Sequence, residues 1–513
     1  MFSLVSCTAM AGVAEWVCCP GLHNAALYEA LADCPIIHRW TSSDDRSAAY
    51  FALGRVQATA RPVIVVAGSG AAAAAMYPAV VDAYYHRRPL VVLTIDDTMD
   101  TGGTGAPMSM EQEGIFGSFA PTVELNLPCA VSDLPDMPGL LAEGFPLHLR
   151  VRMEGDGSPG RGDFSALEIG DIPTPPPFRG SLVALSQMLR FRAIEGLVLM
   201  LGALEPTEQE PALWLARTLR VPVVAEAASG LREELAGLLL HHADELLMQY
   251  PPRYVLRVGD VPTGRFWQAL EQLPQTEVFS ITRTGFSGLC RKSTVIEGEP
   301  EQIMKSLGDV PHIGDTERLL PRSRHAAGRS EERLLASPES AEALVRAVSV
   351  HAALADVICL GSSTVTELWN RYAQNHVPTL YLRDLHTTGA DGVISAFLGN
   401  AADAATAFCL VGDLTLLRDI NAAALVPQLP PGKRIIAVLN NEGARGAAYA
   451  AGGDPELHRL LVQPPEFEPE NIARLWGAEY YRIRSEADLE VLETVDESAL
   501  VLLDIIPEGD WGR

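Results

Sequence analysis

Short, continuous apolar runs alternate with longer stretches of mixed polarity along this chain. In the first part the runs are residues 15–19, ending at Pro20-Gly21; 62–67, ending at Gly68-Ser69-Gly70; and 89–95, ending at Asp96-Asp97. A run that is apolar at every position belongs to a strand buried on both faces, and the stretches between are long enough for covering helices. The pattern therefore predicts a parallel sheet sandwiched by helices. It recurs after a Pro-rich linker at 171–177, with runs at 196–202, 221–225 and 253–259. It recurs again beyond a charged stretch at 311–335, read as a surface linker, with runs at 357–360, 406–411 and 434–439. The expected architecture is α/β: three consecutive doubly wound parallel-sheet domains at 1–168, 180–310 and 338–513.

Length agrees with this reading, since 513 residues at roughly 100–200 per domain make about three domains. Hydrophobic residues make up 48% and charged residues 20%, enough to build sizeable cores. The net charge of −26, with arginines and lysines scattered, argues against a nucleic-acid or anionic-membrane partner. None of the eight cysteines forms a Cys-x-x-Cys pair and most fall in apolar runs, which suits buried thiols in a reducing cytoplasm. No signal peptide and no membrane-spanning run is expected.

The chemistry concentrates in the third part. Val411-Gly412-Asp413-Leu414 closes one strand, and Leu439-Asn440-Asn441-Glu442-Gly443 closes another, a helix and a return strand later. Both motifs then leave the sheet at its carboxyl edge, where open α/β sheets bind ligands. Asp413, Asn441 and the Gly443 carbonyl form an all-oxygen set suited to Mg²⁺, which takes its other ligands from phosphate and water. Asn440 is the alternative to Asn441 if the register differs by one. The Gly412 turn lets backbone approach a diphosphate at a helix N-terminus. An Asp helix cap with an Asn-Asn turn would look the same in isolation.

Gly-Asp followed by Asn-Asn-x-Gly resembles the cofactor motif of thiamine-diphosphate (ThDP) enzymes. Further segments resemble one of them, 2-succinyl-5-enolpyruvyl-6-hydroxy-3-cyclohexene-1-carboxylate (SEPHCHC) synthase of menaquinone biosynthesis. They are Cys19-Pro20-Gly21, Ala52-Leu53-Gly54, Tyr77-Pro78-Ala79-Val80, residues 89–94, Gly114-Ile115-Phe116-Gly117, Gly389-Ala390-Asp391-Gly392 and Asp419-Ile420-Asn421. The likeness runs, with gaps, from about residue 15 to about residue 480. It implies pyrimidine-binding, central and diphosphate-binding domains in that order, with ThDP and Mg²⁺ as cofactors. It places Gly412, Asp413, Leu414, Asn441, Gly389, Ala390 and Ser363 against the cofactor. It also implies a homodimer or homotetramer, because in the family the two cofactor halves come from different chains.

In the family a first-domain Glu, within Asp-Glu-Arg-Gly, hydrogen-bonds the aminopyrimidine and promotes loss of the thiazolium C2 proton. The matching run here is Asp44-Asp45-Arg46-Ser47, so Asp45 takes that position one methylene shorter. The family's carboxylate-binding arginines are also replaced, by His23, Asp97, Glu367 and Leu385, and an Asn-Gln pair becomes Pro107-Met108. His23 is a candidate catalytic proton carrier, as is His386 beside Leu385. A carboxylate near Asp97 or Glu367 would be repelled. The expectation is therefore a ThDP- and Mg²⁺-dependent 2-oxo acid decarboxylase or carboligase, joining a small donor to an acceptor other than isochorismate. The alternatives are a genuine SEPHCHC synthase and a catalytically degenerate ligand-binding relative.

Overall fold

Three sheets carry the chain, and within each of them every strand pair is parallel. The computed structural model describes residues 1–68, 71–96, 104–105, 110–129, 134–153, 163–172, 176–315, 317–362, 364–374, 380–383, 389–443, 454–462 and 467–509. The first sheet holds β1 (Glu15–Cys18), β2 (His38–Thr41), β3 (Val63–Val66), β4 (Leu90–Asp96), β5 (Thr122–Leu127) and β6 (Leu147–Met153), in the order β2-β1-β3-β4-β6-β5. The second holds β7 (Leu197–Leu201), β8 (Val223–Ala225), β9 (Tyr254–Val258), β10 (Glu277–Thr282) and β11 (Thr294–Glu297), in the order β11-β10-β9-β7-β8. The third holds β12 (Val357–Leu360), β13 (Leu380–Arg383), β14 (Thr406–Gly412), β15 (Lys433–Leu439), β16 (Glu479–Ile483) and β17 (Leu500–Ile505), in the order β13-β12-β14-β15-β17-β16.

Each sheet starts on an inner strand, steps outward once, then returns to the other side of the starting strand. The winding therefore reverses between β1 and β3, between β7 and β9, and between β12 and β14, where ligand crevices form in such sheets. In the second sheet backbone fills that crevice. A Cβ on Gly202 would stand 2.1 Å from the Asp260 carbonyl oxygen, and one on Gly259 (φ +90°) 2.4 Å from that of Ala203. The other two reversal points carry the motifs singled out in the sequence.

By compactness the chain divides into two units. One comprises Met1–Pro176, Leu385–Asp403 and Thr415–Pro431; the other comprises Pro177–Asp384, Ala404–Leu414 and Gly432–Arg513. In the first unit the Asp45–Thr59 helix packs along the Val393–Asn400 helix at backbone contact. A Cβ on Gly54 would lie 2.0 Å from the Ala396 carbonyl oxygen, and one on Gly399 would lie 2.2 Å from that of Phe51. Buried Arg55 pins the crossing. It donates to both Glu15 oxygens (2.8 and 2.7 Å) and to the Gly399 carbonyl (3.1 Å), and pairs with Asp403 at 2.7 Å. Trp40 Nε1 adds a bond to Glu15 at 2.7 Å. Asp419 is buried and accepts the Ser395 N–H (2.6 Å) and hydroxyl (2.8 Å), fixing the start of the Val393–Asn400 helix.

The charged stretch expected to be a linker instead forms the Leu320–Ala336 helix, which buries Leu320, Ser323 and Ser330 and turns its charges outward. Among the described residues no helix is long and apolar enough to cross a membrane.

Candidate functional site

At the carboxyl edge of the first sheet, two loops touch through glycines. A Cβ on Gly21 would come within 2.1 Å of the Gly68 carbonyl oxygen, so the chain leaving β1 lies against the chain leaving β3 only without side chains there. Asn24 holds the contact by donating to the Ala67 carbonyl at 2.9 Å. Beside this contact the Asp45–Thr59 helix begins. Asp44 caps it by accepting the Ser47 N–H at 2.9 Å. Asp45 is left to face the crevice, where its Oδ1 accepts the Gly68 N–H at 2.9 Å.

The Cys19 thiol is buried against Asp45. Burial pushes its pKa well up, and the Asp45 charge pushes it further, so it remains a protonated donor to that carboxylate. Sequence reasoning missed this thiol because Cys19 reads as the end of an apolar strand. His23 is exposed on the single turn Leu22–Asn24 and makes no hydrogen bond to Asp45.

Gly389 (φ +71°) and Ala390 form a turn in the same unit. The next residue, Asp391, lies 3.5 Å from Arg46 and 3.9 Å from Arg418. The segment Gly389-Ala390-Asp391-Gly392 is thereby tied to the helix that carries Asp45. A Cβ on Gly392 (φ +66°) would fall 1.9 Å from Tyr50.

The third sheet carries the second set of motif residues. Gly412 on β14 is the register partner of Leu439 on β15, so both motif loops leave the sheet at one level. Asp413 is 2% exposed. Its Oδ1 accepts the Leu414 N–H at 2.8 Å, and its Oδ2 accepts the Gly443 N–H at 2.7 Å. Burial raises its pKa, and these two N–H groups offset only part of the rise. The Asn440 amide is spent on β17, donating to Asp504 at 3.0 Å while its oxygen accepts the Glu442 N–H at 3.3 Å. Asp504 also accepts the Tyr480 hydroxyl at 2.8 Å. Glu442 (φ +52°) and Gly443 (φ +83°) form the left-handed bend that turns the loop back to Asp413. Asn440, Glu442, Arg482, Arg484 and Asp504 line an adjoining pocket of about 270 Å³.

One buried carboxylate, an amide and nearby carbonyls suit a hard cation that completes its shell from phosphate and water. Among the described residues no three His, Cys, Asp or Glu side chains gather into a metal cage. The residues present thus fit a metal that arrives with a diphosphate. Ser363, Asp97, Pro107, Met108, Leu385 and His386 lie outside the described residues.

A winding reversal carrying a carboxylate in the first sheet, and a Gly-Asp/Asn-Asn edge in the third, define a thiamine-diphosphate-type enzyme. Residues 3–115 match the family model described as "Thiamine pyrophosphate enzyme, N-terminal TPP binding domain". A SEPHCHC synthase from Akkermansia muciniphila is 45% identical over 99% of this chain and 96% of that protein. Relatives of the same name from Bdellovibrio bacteriovorus and Myxococcus xanthus are each 28% identical. They cover 91% and 92% of this chain, and the match spans 89% and 87% of their own lengths. The chain belongs to the SEPHCHC synthase family of ThDP-dependent enzymes.

This corrects the expectation of a substrate other than isochorismate: full-length relatives carry the SEPHCHC synthase name. Glu367 is not an open negative charge. It pairs with Arg265 at 2.9 Å and with Arg371 at 3.5 Å. Asp96, next to Asp97, is likewise held by Arg150 on β6, with 2.7 Å from Nε to Oδ2. Counting charges at aligned positions omitted Arg265, from a distant part of the sequence, and Arg371, one helical turn on.

Proposed function

We propose that this chain is a ThDP- and Mg²⁺-dependent SEPHCHC synthase of menaquinone biosynthesis. It decarboxylates 2-oxoglutarate and joins the remaining four-carbon unit to isochorismate. The observation that carries this reading is the 45% identity, over 99% of the chain, to a relative of that name. When bound, the cofactor supplies the electron sink for decarboxylation.

The protein's own part divides between two sets of residues. Asp45 is assigned to the aminopyrimidine ring, to hold the proton that drives activation. Its shorter side chain is held at the β1 and β3 loops by the Gly68 N–H and the Cys19 thiol. Asp413, Asn441 and the Gly443 carbonyl are assigned to Mg²⁺, with Gly412, Leu414, Gly389, Ala390 and Ser363 lining the cofactor. Asn441 is the assigned amide ligand, with Asn440, which donates to Asp504, as the alternative. His23, at the rim, is assigned to proton exchange with solvent rather than to the cofactor ring. The working form is a homodimer or homotetramer in the cytoplasm.

The test supplies 2-oxoglutarate and isochorismate with ThDP and Mg²⁺ and follows product by mass spectrometry. Turnover near 1 s⁻¹ or faster is expected, a rate ordinary for metabolic enzymes. Decarboxylation without product from isochorismate would overturn the acceptor assignment.

A further inference from the structure

We propose that Arg152, at the carboxyl end of β6, receives a substrate carboxylate in this enzyme. The inference rests on the SEPHCHC synthase reading, whose substrates are carboxylates. It locates one cation that the family positions no longer supply.

Register places Arg152 on the side of the sheet where Asp45 lies. Val17 pairs with Val65, Val65 with Val92, and Val92 with His148. Parallel neighbours in register point the same way, so Glu15, Val17, Val65, Val92, His148, Arg150 and Arg152 share one face. The Asp45–Thr59 helix covers that face, since its Arg55 is bonded to Glu15. The other face of β6, with Leu147, Leu149 and Val151, is packed in the opposite core. Along the edge, β3 and β6 are two strand spacings apart, roughly 10 Å. Arg152 thus stands at about that distance from the Gly68 loop that holds Asp45, within the span of a multiply carboxylated ring substrate.

The two β6 arginines are used differently. Arg150 is buried and spent, with Nε 2.7 Å from Asp96 and Nη1 2.5 Å from Glu124. Those same carboxylates lie 3.9 Å from Arg152, beyond hydrogen-bond reach, and its side chain is 39% exposed. Arg150 already satisfies the two acids, so the Arg152 fork is held near the edge with its donors unspent. A guanidinium in that state pairs with a carboxylate through two parallel bonds. Arg152 is also the register partner of Asp96, one residue before Asp97, the position where the family has an arginine.

The experiment compares wild type, R152Q and R152K as full-length holoenzymes. It measures KM separately for 2-oxoglutarate and isochorismate, kcat, and binding of isochorismate by equilibrium dialysis. R152Q is expected to raise one of the two KM values about 10- to 100-fold, the worth of a charged hydrogen-bond pair, with a smaller change in kcat. R152K is expected to recover part of the loss, and should R152Q fold poorly, a KM rise in R152K alone carries the test. The affected KM tells whether donor or acceptor supplies the carboxylate. Unchanged KM values in folded, active R152Q would overturn the assignment and leave the proposed function standing. Absence of product from wild type would overturn the function and this assignment with it.

Discussion

Asp413 and Asp45 hold comparable places in two different sheets. Each is the first residue of a helix, and each accepts an N–H from a glycine in the loop beyond a nearby strand, Gly443 and Gly68 respectively. Their surroundings then diverge. Asp413 is almost fully buried and has backbone N–H groups on both oxygens. Asp45 is half-buried, gives one oxygen to backbone, leaves helix capping to Asp44 and has the Cys19 thiol beside it. A carboxylate that sits beneath a cation gains from being fixed and charged. One that shares a proton with a ligand needs an open side and a donor that tunes rather than saturates it. The difference between the two aspartates fits the two tasks proposed for them, with one motif, a helix-start acid against a glycine N–H, in two settings.

The comparison breaks most visibly if Asp413 is not the metal residue. Asp413→Ala is expected to weaken ThDP binding in Mg²⁺ by more than the roughly 100-fold that loss of an outer partner of a metal ligand costs. Calorimetry with and without Mg²⁺ reads this, and metal-independent binding of unchanged strength would remove the assignment. Next in size is Asp45→Asn. It is expected to keep ThDP affinity but slow C2-proton exchange, followed by NMR, by about 10²- to 10⁴-fold. A full exchange rate would move the role to another group, Asp44 first.

A third change sharpens the contrast through the scaffold. Glu15→Gln removes the charge of Arg55's buried partner while Asp403 stays paired with it, and should cost about 1.5–3 kcal/mol in denaturant unfolding. It should also impair exchange at C2 before it impairs metal binding, because Arg55 pins the helix that carries Asp45. Equal loss of both would show that the halves are not separately supported.

The smallest expected effect is with pH. His148 is buried between the Thr94 (2.9 Å) and Thr122 (3.0 Å) hydroxyls, and burial, then Arg150, lowers its pKa from 6.5 to about 4. Its folded pKa lies below the unfolded one, so its contribution is complete above pH 6.5. The contribution falls as pH drops toward 4, because only the unfolded chain takes the proton. The loss is at most about 3 kcal/mol. His148→Gln should flatten the decline between those values in a thermal-denaturation series. An unchanged slope would show that His148 is not its source.

What could be read in advance follows burial on two faces. β1, β3, β4, β7, β9, β12, β14 and β15 are apolar at nearly every position and were all expected within a residue or two at each end. β2 buries only Trp40 of its four residues, and β16 lies at a sheet edge with Glu479 and Arg482 exposed, so neither has an apolar run to find. β6 alternates Leu147, Leu149 and Val151 with His148, Arg150 and Arg152, and its charges make sense only when Asp96 and Glu124 flank them. The site divides in the same way. The contact between Asp413 and Gly443 was legible because two local motifs name both residues. Arg152 and the Arg265 partner of Glu367 were not, because their setting depends on strand neighbours and on a residue about a hundred positions away. Substrate choice was misjudged for that reason.

The crossing of the Asp45–Thr59 and Val393–Asn400 helices bears on how this enzyme can be recombined with its relatives. Gly54 meets the Ala396 carbonyl, Gly399 meets that of Phe51, and Gly392 meets the Tyr50 ring, at distances that leave no volume for even a methyl group. Each helix is therefore a mould of the other. A chimera that takes residues 45–59 from one parent and 389–419 from another inherits two half-moulds, and any side chain larger than hydrogen at 54 or 399 would force the pair apart. Crossover points that keep these two segments from the same parent, far apart in sequence as they are, should give folded libraries. Points that separate them should give chains that fail before their chemistry can be assayed.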